Sequence, residues 1–276
     1  MPGKLIVCPT PIGNLEDVTP RVRDALTTAD IVACEDTRRT GRLFERLAIR
    51  PPRLVSNHDQ NETERAPALA KQIERGARVA LVSDAGMPAI SDPGYRLIRA
   101  CIDRDLDVEV LPGPSSIPVA VVASGLPSDR WCFEGYLPRR AGELERVLQS
   151  AETVVAFESP RRLPDSLAAL AALAPERPAA VCRELSKLHE EVTRGSISEL
   201  ARRFRGEQRG EIILVIGPAR TRGADRDPDI TMAVDALRRL VQAGARPRAA
   251  AGVVAALTGT RPTDLYRALT GREPRE

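Results

Sequence analysis

The sequence predicts an α/β protein made of two α/β domains and a small helical C-terminal tail. Three observations carry that expectation. Short apolar runs alternate with helix-period segments through the first 112 residues, a second alternating series follows Pro112-Gly-Pro-Ser-Ser116, and past Gly217-Pro218 the periodicity is helical only. Strands separated by helices need crossover connections, so the first series reads as a mostly parallel sheet.

In the first series, strands are expected at 4–8, 30–34, 54–56, 78–82 and 108–111, each a short apolar run. Thr19 followed by Pro20 marks a helix start, because the threonine can cap and a proline loses nothing at the first helical position. Ala66, Leu69, Ala70 and Ile73 form one apolar stripe, and Leu97, Ile98, Cys101 and Ile102 form another. Ser115 is placed to cap an apolar helix over 117–123. In the second series strands are expected near 131–136, 153–157, 179–182 and 211–216, with helices near 142–150, 163–173 and 198–204. The domains are therefore drawn as 1–116 and 117–218, then an Arg/Gly/Asp-rich linker over 219–228 and a tail over 229–276 with three short amphipathic helices.

The chain of 276 residues, 42% hydrophobic and 29% charged, has the composition of a globular protein. At about 100–200 residues per domain it holds one large domain or two ordinary ones, and it is long enough to need no disulfide or metal staple. No apolar run approaches the ~20 residues that span a bilayer, and Pro9 and Pro11 interrupt the first apolar segment, so a cytoplasmic protein without a signal peptide is expected. The five cysteines, Cys8, Cys34, Cys101, Cys132 and Cys182, are dispersed and without a C-x-x-C pair, which reads as reduced thiols. Two histidines with no neighbouring ligand spacing argue against zinc. Net charge is only +3, but from Arg202 onward there are 15 Arg against 9 acidic residues, so the tail is +6 and the rest −3. An Arg-rich tail fits phosphate binding; genomic base composition is the plainer explanation, preferred here, and needs no ligand.

Ligands of open α/β sheets collect beyond the carboxyl ends of strands. Four loops therefore matter: Pro9-Thr-Pro-Ile-Gly-Asn14, Glu35-Asp-Thr-Arg-Arg39, the stretch from Ser83 to Gly94, and Leu111-Pro-Gly-Pro-Ser-Ser116. The third packs two Asp, two Gly and two Pro into eleven residues, where glycine permits close backbone approach and aspartate can take hydroxyl or amine hydrogens. Its plainer explanation is a stiff crossover in which Asp92 caps the next helix. No G-x-G-x-x-G, no P-loop and no G-x-S-x-G elbow is present. The residues alone point to a cleft for a small polar ligand.

Taken together, Pro9-Thr-Pro-Ile-Gly-Asn-Leu-Glu-Asp17, Ala33-Cys-Glu-Asp-Thr-Arg38, His58-Asp-Gln-Asn-Glu62, the Asp84-Ala-Gly-Met-Pro-Ala-Ile-Ser-Asp-Pro-Gly94 loop, Phe157-Glu-Ser-Pro-Arg-Arg162 and Arg183-Glu-Leu-Ser-Lys-Leu-His-Glu-Glu191 resemble the bacterial small-subunit (16S) ribosomal RNA (cytidine-2′-O)-methyltransferase family, in the tetrapyrrole-methylase superfamily. The resemblance covers nearly the whole chain. It implies the tetrapyrrole-methylase (class III methyltransferase) arrangement of two α/β domains, S-adenosylmethionine in the cleft between them, a homodimer and a 16S ribosomal RNA substrate. It places Pro11, Ile12 and Gly13 beside the cofactor, with Asp84, Ala85, Gly86, Met87 and Ile90 around its amino-acid and ribose parts. Ser115 and Ser116 would lie beneath it, and Phe157, Glu158 and Leu185 would close it from the second domain. One departure is clear: tetrapyrrole methylases carry G-x-G-P-G-D in the first loop, and this chain has Pro-Thr-Pro-Ile-Gly-Asn, which fits the RNA branch better than the porphyrin branch.

The implied reaction is in-line attack of a ribose 2′-oxygen on the sulfonium methyl. Positioning can lower the barrier by roughly 7–11 kcal/mol, against roughly 3–5.5 kcal/mol for general-base help, so alignment dominates. Glu35 is the first candidate base and Asp36 the second; the plain alternative makes both helix N-terminal carboxylates. Arg38 is a candidate phosphate ligand or a partner of those carboxylates. His58, Arg139, Arg140, Arg161 and Arg162 are candidate RNA contacts. Trp131 and Phe133 alternate on a strand, which favours packing over base stacking. Two competing readings remain, a precorrin-type tetrapyrrole methyltransferase with the same cofactor, and a non-catalytic RNA-binding assembly factor.

Overall fold

A computed structural model describes residues 3–50, 52–219 and 230–270. The first five strands are β1 (Lys4–Val7), β2 (Ile31–Cys34), β3 (Arg53–Ser56), β4 (Arg78–Leu81) and β5 (Asp107–Val110). They form one sheet in the order β3-β2-β4-β1-β5, with every pair parallel. The helices between them are α1 (Pro20–Thr28), α2 (Thr37–Arg46), α3 (Glu62–Glu74) and α4 (Tyr95–Ile102). Helices cover both faces, as a parallel sheet requires. Val22, Leu26 and Phe44 from α1 and α2 pack on Ile6, Val32 and Ala80. Leu69, Ile73 and Leu97 from α3 and α4 pack on Leu5, Val7 and Val79 on the other side. Thr19 caps α1, its side chain accepting the Val22 N–H.

The second sheet contains β6 (Trp131–Tyr136), β7 (Thr153–Glu158), β8 (Pro178–Arg183), β9 (Glu191–Ser196) and β10 (Ile212–Ile216), ordered β6-β7-β10-β8-β9. Here β6 and β7 run parallel and the remaining pairs are antiparallel. The strand β9 was not expected from the sequence: Glu-Val-Thr-Arg-Gly-Ser has one aliphatic residue in six, and only its edge position lets so polar a run pair. One face of the sheet is covered by α6 (Ala141–Gln149), α7 (Leu163–Leu173) and α8 (Ile197–Arg203), through Leu144, Leu163, Leu167 and Leu200.

Helix α5 (Ser116–Ser124) covers the other face with Ile117, Ala120 and Val121, and Ile12 from the loop after β1 joins that same cluster. A loop of the first sheet is thereby built into the core of the second, and both sheets belong to one compact unit ending at Gly217. Ser115 stands at the start of α5, but its side chain makes no capping hydrogen bond.

The second unit holds α9 (Ile230–Gln242), α10 (Pro247–Thr258) and α11 (Pro262–Thr270), packed around Leu237, Ala251, Val254 and Leu265. The expected linker, apart from Ala219, lies outside the described residues, as do residue 229 and residues 271–276 of the expected tail. No described helix is long and apolar enough to cross a membrane.

Candidate active site

The carboxyl ends of β1, β2 and β4 meet at two adjoining cavities. The loops after β1 and β4 are latched together by a reciprocal pair of 2.9 Å bonds, Thr10 N–H to the Gly86 carbonyl and Gly86 N–H to the Thr10 carbonyl. The buried Thr10 hydroxyl donates to the Ser83 carbonyl at 3.0 Å. Gly86 adopts φ +80, a left-handed geometry that glycine enters without strain. Further along that loop Ala89 (φ 66) and Ser91 (φ 61) hold the same region with a side chain present, a strained path of the kind that accumulates at ligand sites.

The larger cavity, ≈ 540 Å³, lies in the size range of small-molecule sites. Its first wall contains Ile12, Glu35, Asp84, Ala85, Asp92 and Ser116, and its second Tyr136, Phe157, Cys182, Leu185 and Ile213. The rings of Phe133 and Phe157 meet edge to face at 5.1 Å, which fixes the second wall and gives Phe133 its packing role. The smaller cavity, ≈ 320 Å³, is lined by Pro11, Ile12, Gly13 and Leu15, by Arg39, Arg42, Leu43 and Arg46, and by Lys187 and Glu211. Ile12, Arg39, Asp84, Ala85 and Glu211 line both.

Gly13 brings the first loop close against the Ser186–Lys187 segment of the second half. A Cβ there would stand 2.5 Å from Lys187 Cγ and 2.8 Å from the Ser186 carbonyl group, so only glycine lets the first loop seat against that segment. The joint is reinforced by the Ser186 hydroxyl donating to Asp17 at 2.7 Å.

The electrostatics of the larger cavity are acidic. Burial first, then the charges of Asp84 and Asp59, raise the Glu35 carboxyl above its ordinary value. Asp92 is pushed up to about 6 by burial and by Glu35, with the Ser83 hydroxyl opposing. Asp92 does not cap the following helix. That task falls to Glu62 of α3, whose buried carboxylate accepts the Gly94 and Arg96 N–H groups at 2.8 and 3.1 Å. One oxygen of Asp84 pairs with Arg39 at 2.8 Å, while the other, Oδ1, is buried without a partner.

Several residues sit elsewhere than the sequence alone suggests. Asp36 caps α2, accepting the Arg38 and Arg39 N–H groups, and its side chain bonds the Arg38 guanidinium at 3.2 Å. These bonds hold its carboxyl down at about 2, and neither Asp36 nor Arg38 lines either cavity. The Glu158 carboxylate is spent on Ser159 N–H (2.6 Å) and the Ser166 hydroxyl (2.5 Å), so only its backbone remains for a ligand. Arg162 turns inward, 3.4 Å from Glu158 and donating to the Leu137 carbonyl at 3.0 Å, because a buried carboxylate draws the nearest cation. Arg161, Arg139 and Arg140 are exposed. His58 is half-buried, its ring 3.2 Å from the Asn61 amide. Gly86, Met87, Ile90 and Ser115 line neither cavity; Met87 packs into the first core and Ile90 is exposed.

Sequence reasoning missed Asp92 as a cavity residue and missed Arg42, Arg46, Lys187 and Glu211. The arginines carried a readable signal: Arg39, Arg42 and Arg46 share one helix face, once α2 is drawn as a helix instead of a loop.

Comparison with known proteins agrees with this architecture. Residues 4–201 match the family model described as tetrapyrrole (corrin/porphyrin) methylases. The chain is 45% identical over 274 residues to the ribosomal RNA small subunit methyltransferase I of Mycobacterium tuberculosis, covering 97% of this chain and 94% of that protein. It is 41% identical over 218 residues to the protein of that name from Thermotoga maritima, 98% of which is matched by 78% of this chain. Among solved structures, uroporphyrin-III C-methyl transferase from Thermus thermophilus, complexed with S-adenyl homocysteine, superposes with TM-score 0.55 at 20% identity, over 78% of this chain and 97% of that one.

Proposed function

Since this chain belongs to the tetrapyrrole methylase family, in the branch of the ribosomal RNA small subunit methyltransferase I proteins, we propose that it moves a methyl group from S-adenosylmethionine to the 2′-oxygen of a cytidine ribose in 16S ribosomal RNA. The single observation that carries the reading is the larger cavity, where Ile12, Asp84, Ala85, Ser116, Phe157 and Leu185 come together from three loops of the first half and two strands' ends of the second.

The donor set fits that cofactor. S-adenosylmethionine carries an ammonium, a sulfonium and a flat base, and the cavity offers carboxylates on one side and Phe157, Leu185 and Ile213 on the other. The orphaned Asp84 Oδ1 is a buried acceptor awaiting a hydrogen-bond donor. When bound, the cofactor supplies an activated methyl group. Asp84, Ala85 and Ser116 would hold its polar parts, and Phe157, Leu185 and Ile12 would exclude water around it.

Glu35 and Asp92 would receive the proton of the acceptor hydroxyl. Burial raises both, Glu35 further through the charges of Asp84 and Asp59 and Asp92 through that of Glu35, which suits a base that must take up a proton. Of the sequence-derived candidates, Glu35 remains the base, Asp92 joins it, and Asp36 and Arg38 serve to start α2. The protein would act in the cytoplasm as a homodimer, the latter measurable by light scattering.

The test is methyl transfer from labelled cofactor to small ribosomal subunits taken from cells lacking this protein, followed by nuclease digestion and mass spectrometry. One 2′-O-methylcytidine is expected. Label on a base, or in a tetrapyrrole acceptor and not in RNA, refutes the proposal.

A further inference from the structure

The smaller cavity has no task in the mechanism above, yet its charge is arranged. Arg39, Arg42 and Arg46 lie at i, i+3 and i+7 on α2, so they share one helix face above it. Arg39 is neutralised by Asp84 at 2.8 Å. Lys187, on the opposite side, is neutralised by Glu184 at 2.8 Å and Glu211 at 3.1 Å. Arg42 and Arg46 are exposed and, among the described residues, enter no ion pair or side-chain hydrogen bond. Two like charges one turn apart on a helix disfavour the helix slightly, so they add nothing to its folding. They border a recess that shares Ile12, Arg39, Asp84, Ala85 and Glu211 with the cavity assigned to the reaction.

We propose that Arg42 and Arg46 are phosphate-gripping residues, holding the backbone of the acceptor RNA strand in this recess so that the neighbouring ribose enters the larger cavity. The inference rests on the RNA-methylation reading. Guanidinium is suited to the task because its planar fork matches two phosphate oxygens, and it stays charged at every working pH. Thr40, Leu43 and Leu15 line the same recess, giving the strand one polar and two apolar neighbours beside its phosphates. The Arg39–Asp84 pair stands between the two cavities, so that a strand gripped at Arg42 and Arg46 reaches the reacting position past it.

The double variant Arg42→Ala/Arg46→Ala tests this, using the full chain and small ribosomal subunits from cells lacking the protein. KM for subunits should rise about tenfold with kcat and cofactor affinity unchanged. The slope of log affinity against log salt should fall by roughly 0.7 for each single-strand phosphate that an arginine no longer neutralises. Arg42→Lys/Arg46→Lys should restore most of the slope but only part of the affinity, since lysine keeps the charge without the fork. Unaltered RNA affinity and salt slope in the alanine variant overturn the proposal, as does a loss confined to kcat. A wild-type protein that binds subunits and transfers no methyl group instead sinks the enzymatic reading, and the binding arm still judges this site.

Discussion

Arg39 Nη1 stands 2.8 Å from Asp84 Oδ2, tying α2 to the loop after β4 at the boundary of the two cavities. As a stabilising contact this pair counts for little, because the arginine is largely exposed and such pairs contribute about 0–1 kcal/mol. Its consequence is orientation. With one carboxylate oxygen engaged, the aspartate is fixed so that Oδ1 stays buried and open to a hydrogen-bond donor.

Replacing Asp84 should therefore act on cofactor binding more than on folding. A hydrogen bond to a charged group contributes about 1.5–3 kcal/mol, so Asp84→Ala is expected to weaken S-adenosylmethionine by roughly ten- to a hundredfold. Calorimetric titration reads this directly, and the melting-point rise given by saturating cofactor should shrink in step. Arg39→Ala, which frees Asp84 without removing it, should cost less; an equal loss would mean that the arginine itself holds the ligand.

Much of this site was legible in the sequence because its residues are tied to strand ends. Ile12, Asp84, Ala85 and Ser116 follow β1, β4 and β5, and a parallel sheet delivers such loops to one edge whatever the side chains do. The mixed second sheet was harder to read: a polar edge strand such as β9 has no apolar period to find, and its pairing is decided by a neighbour eight or more residues away. Side-chain direction was harder still. Nothing in Phe157-Glu-Ser-Pro-Arg-Arg162 says that Glu158 and Arg162 turn toward each other, since that depends on Ser166 and on burial created by α7. The same holds for Asp92, which looks like a helix cap until Glu62 is seen to have taken the position from a different helix.

That displaced cap makes a prediction of its own. Glu62→Ala would leave the Gly94 and Arg96 N–H groups without their acceptor, at about 1–3 kcal/mol for a buried unsatisfied group. Because those residues end the Asp84 to Gly94 loop, cofactor affinity should fall along with the melting point. Glu62→Gln keeps an acceptor oxygen and should recover most of both, as thermal melts with and without cofactor would show. A Gln variant as impaired as the Ala variant would mean that charge, not acceptance, is what α4 needs.

Gly13 offers a steric test. In Gly13→Ala the new methyl meets both the Lys187 side chain, which can move, and the Ser186 carbonyl group at 2.8 Å, which cannot without shifting its loop. Overpacking of this kind costs about 1–3 kcal/mol. Loss of cofactor affinity beyond that seen in a Lys187→Ala control, by titration calorimetry, would locate the damage in the backbone approach; a neutral Gly13→Ala would show that the two loops are free to part.

The carboxylates Glu35 and Asp92 predict both a rate profile and a stability profile. A protonated base accepts nothing, so kcat should climb with pH and level off above about 6, the limb belonging to the pair and not to either residue. Glu35→Gln removes a like charge and should move the remaining limb to lower pH; Asp92→Asn should leave a single limb that belongs to Glu35. For stability, the Asp92 carboxyl rises from its ordinary 3.8 to about 6 on folding, so the folded state binds the proton more tightly than the unfolded chain does. The stability linked to that proton is complete below the ordinary value and is lost as pH rises through about 6, leaving a constant deficit above. Asparagine cannot ionise and escapes the deficit. Asp92→Asn should accordingly be more stable than wild type near pH 8, by on the order of 1–2 kcal/mol once partial solvent screening is allowed for, and no more stable near pH 4. Denaturant melts at the two pH values decide it: an equal gain at both would trace the effect to packing, and no gain at either would mean that Asp92 ionises freely in the folded protein and is not the strained base proposed.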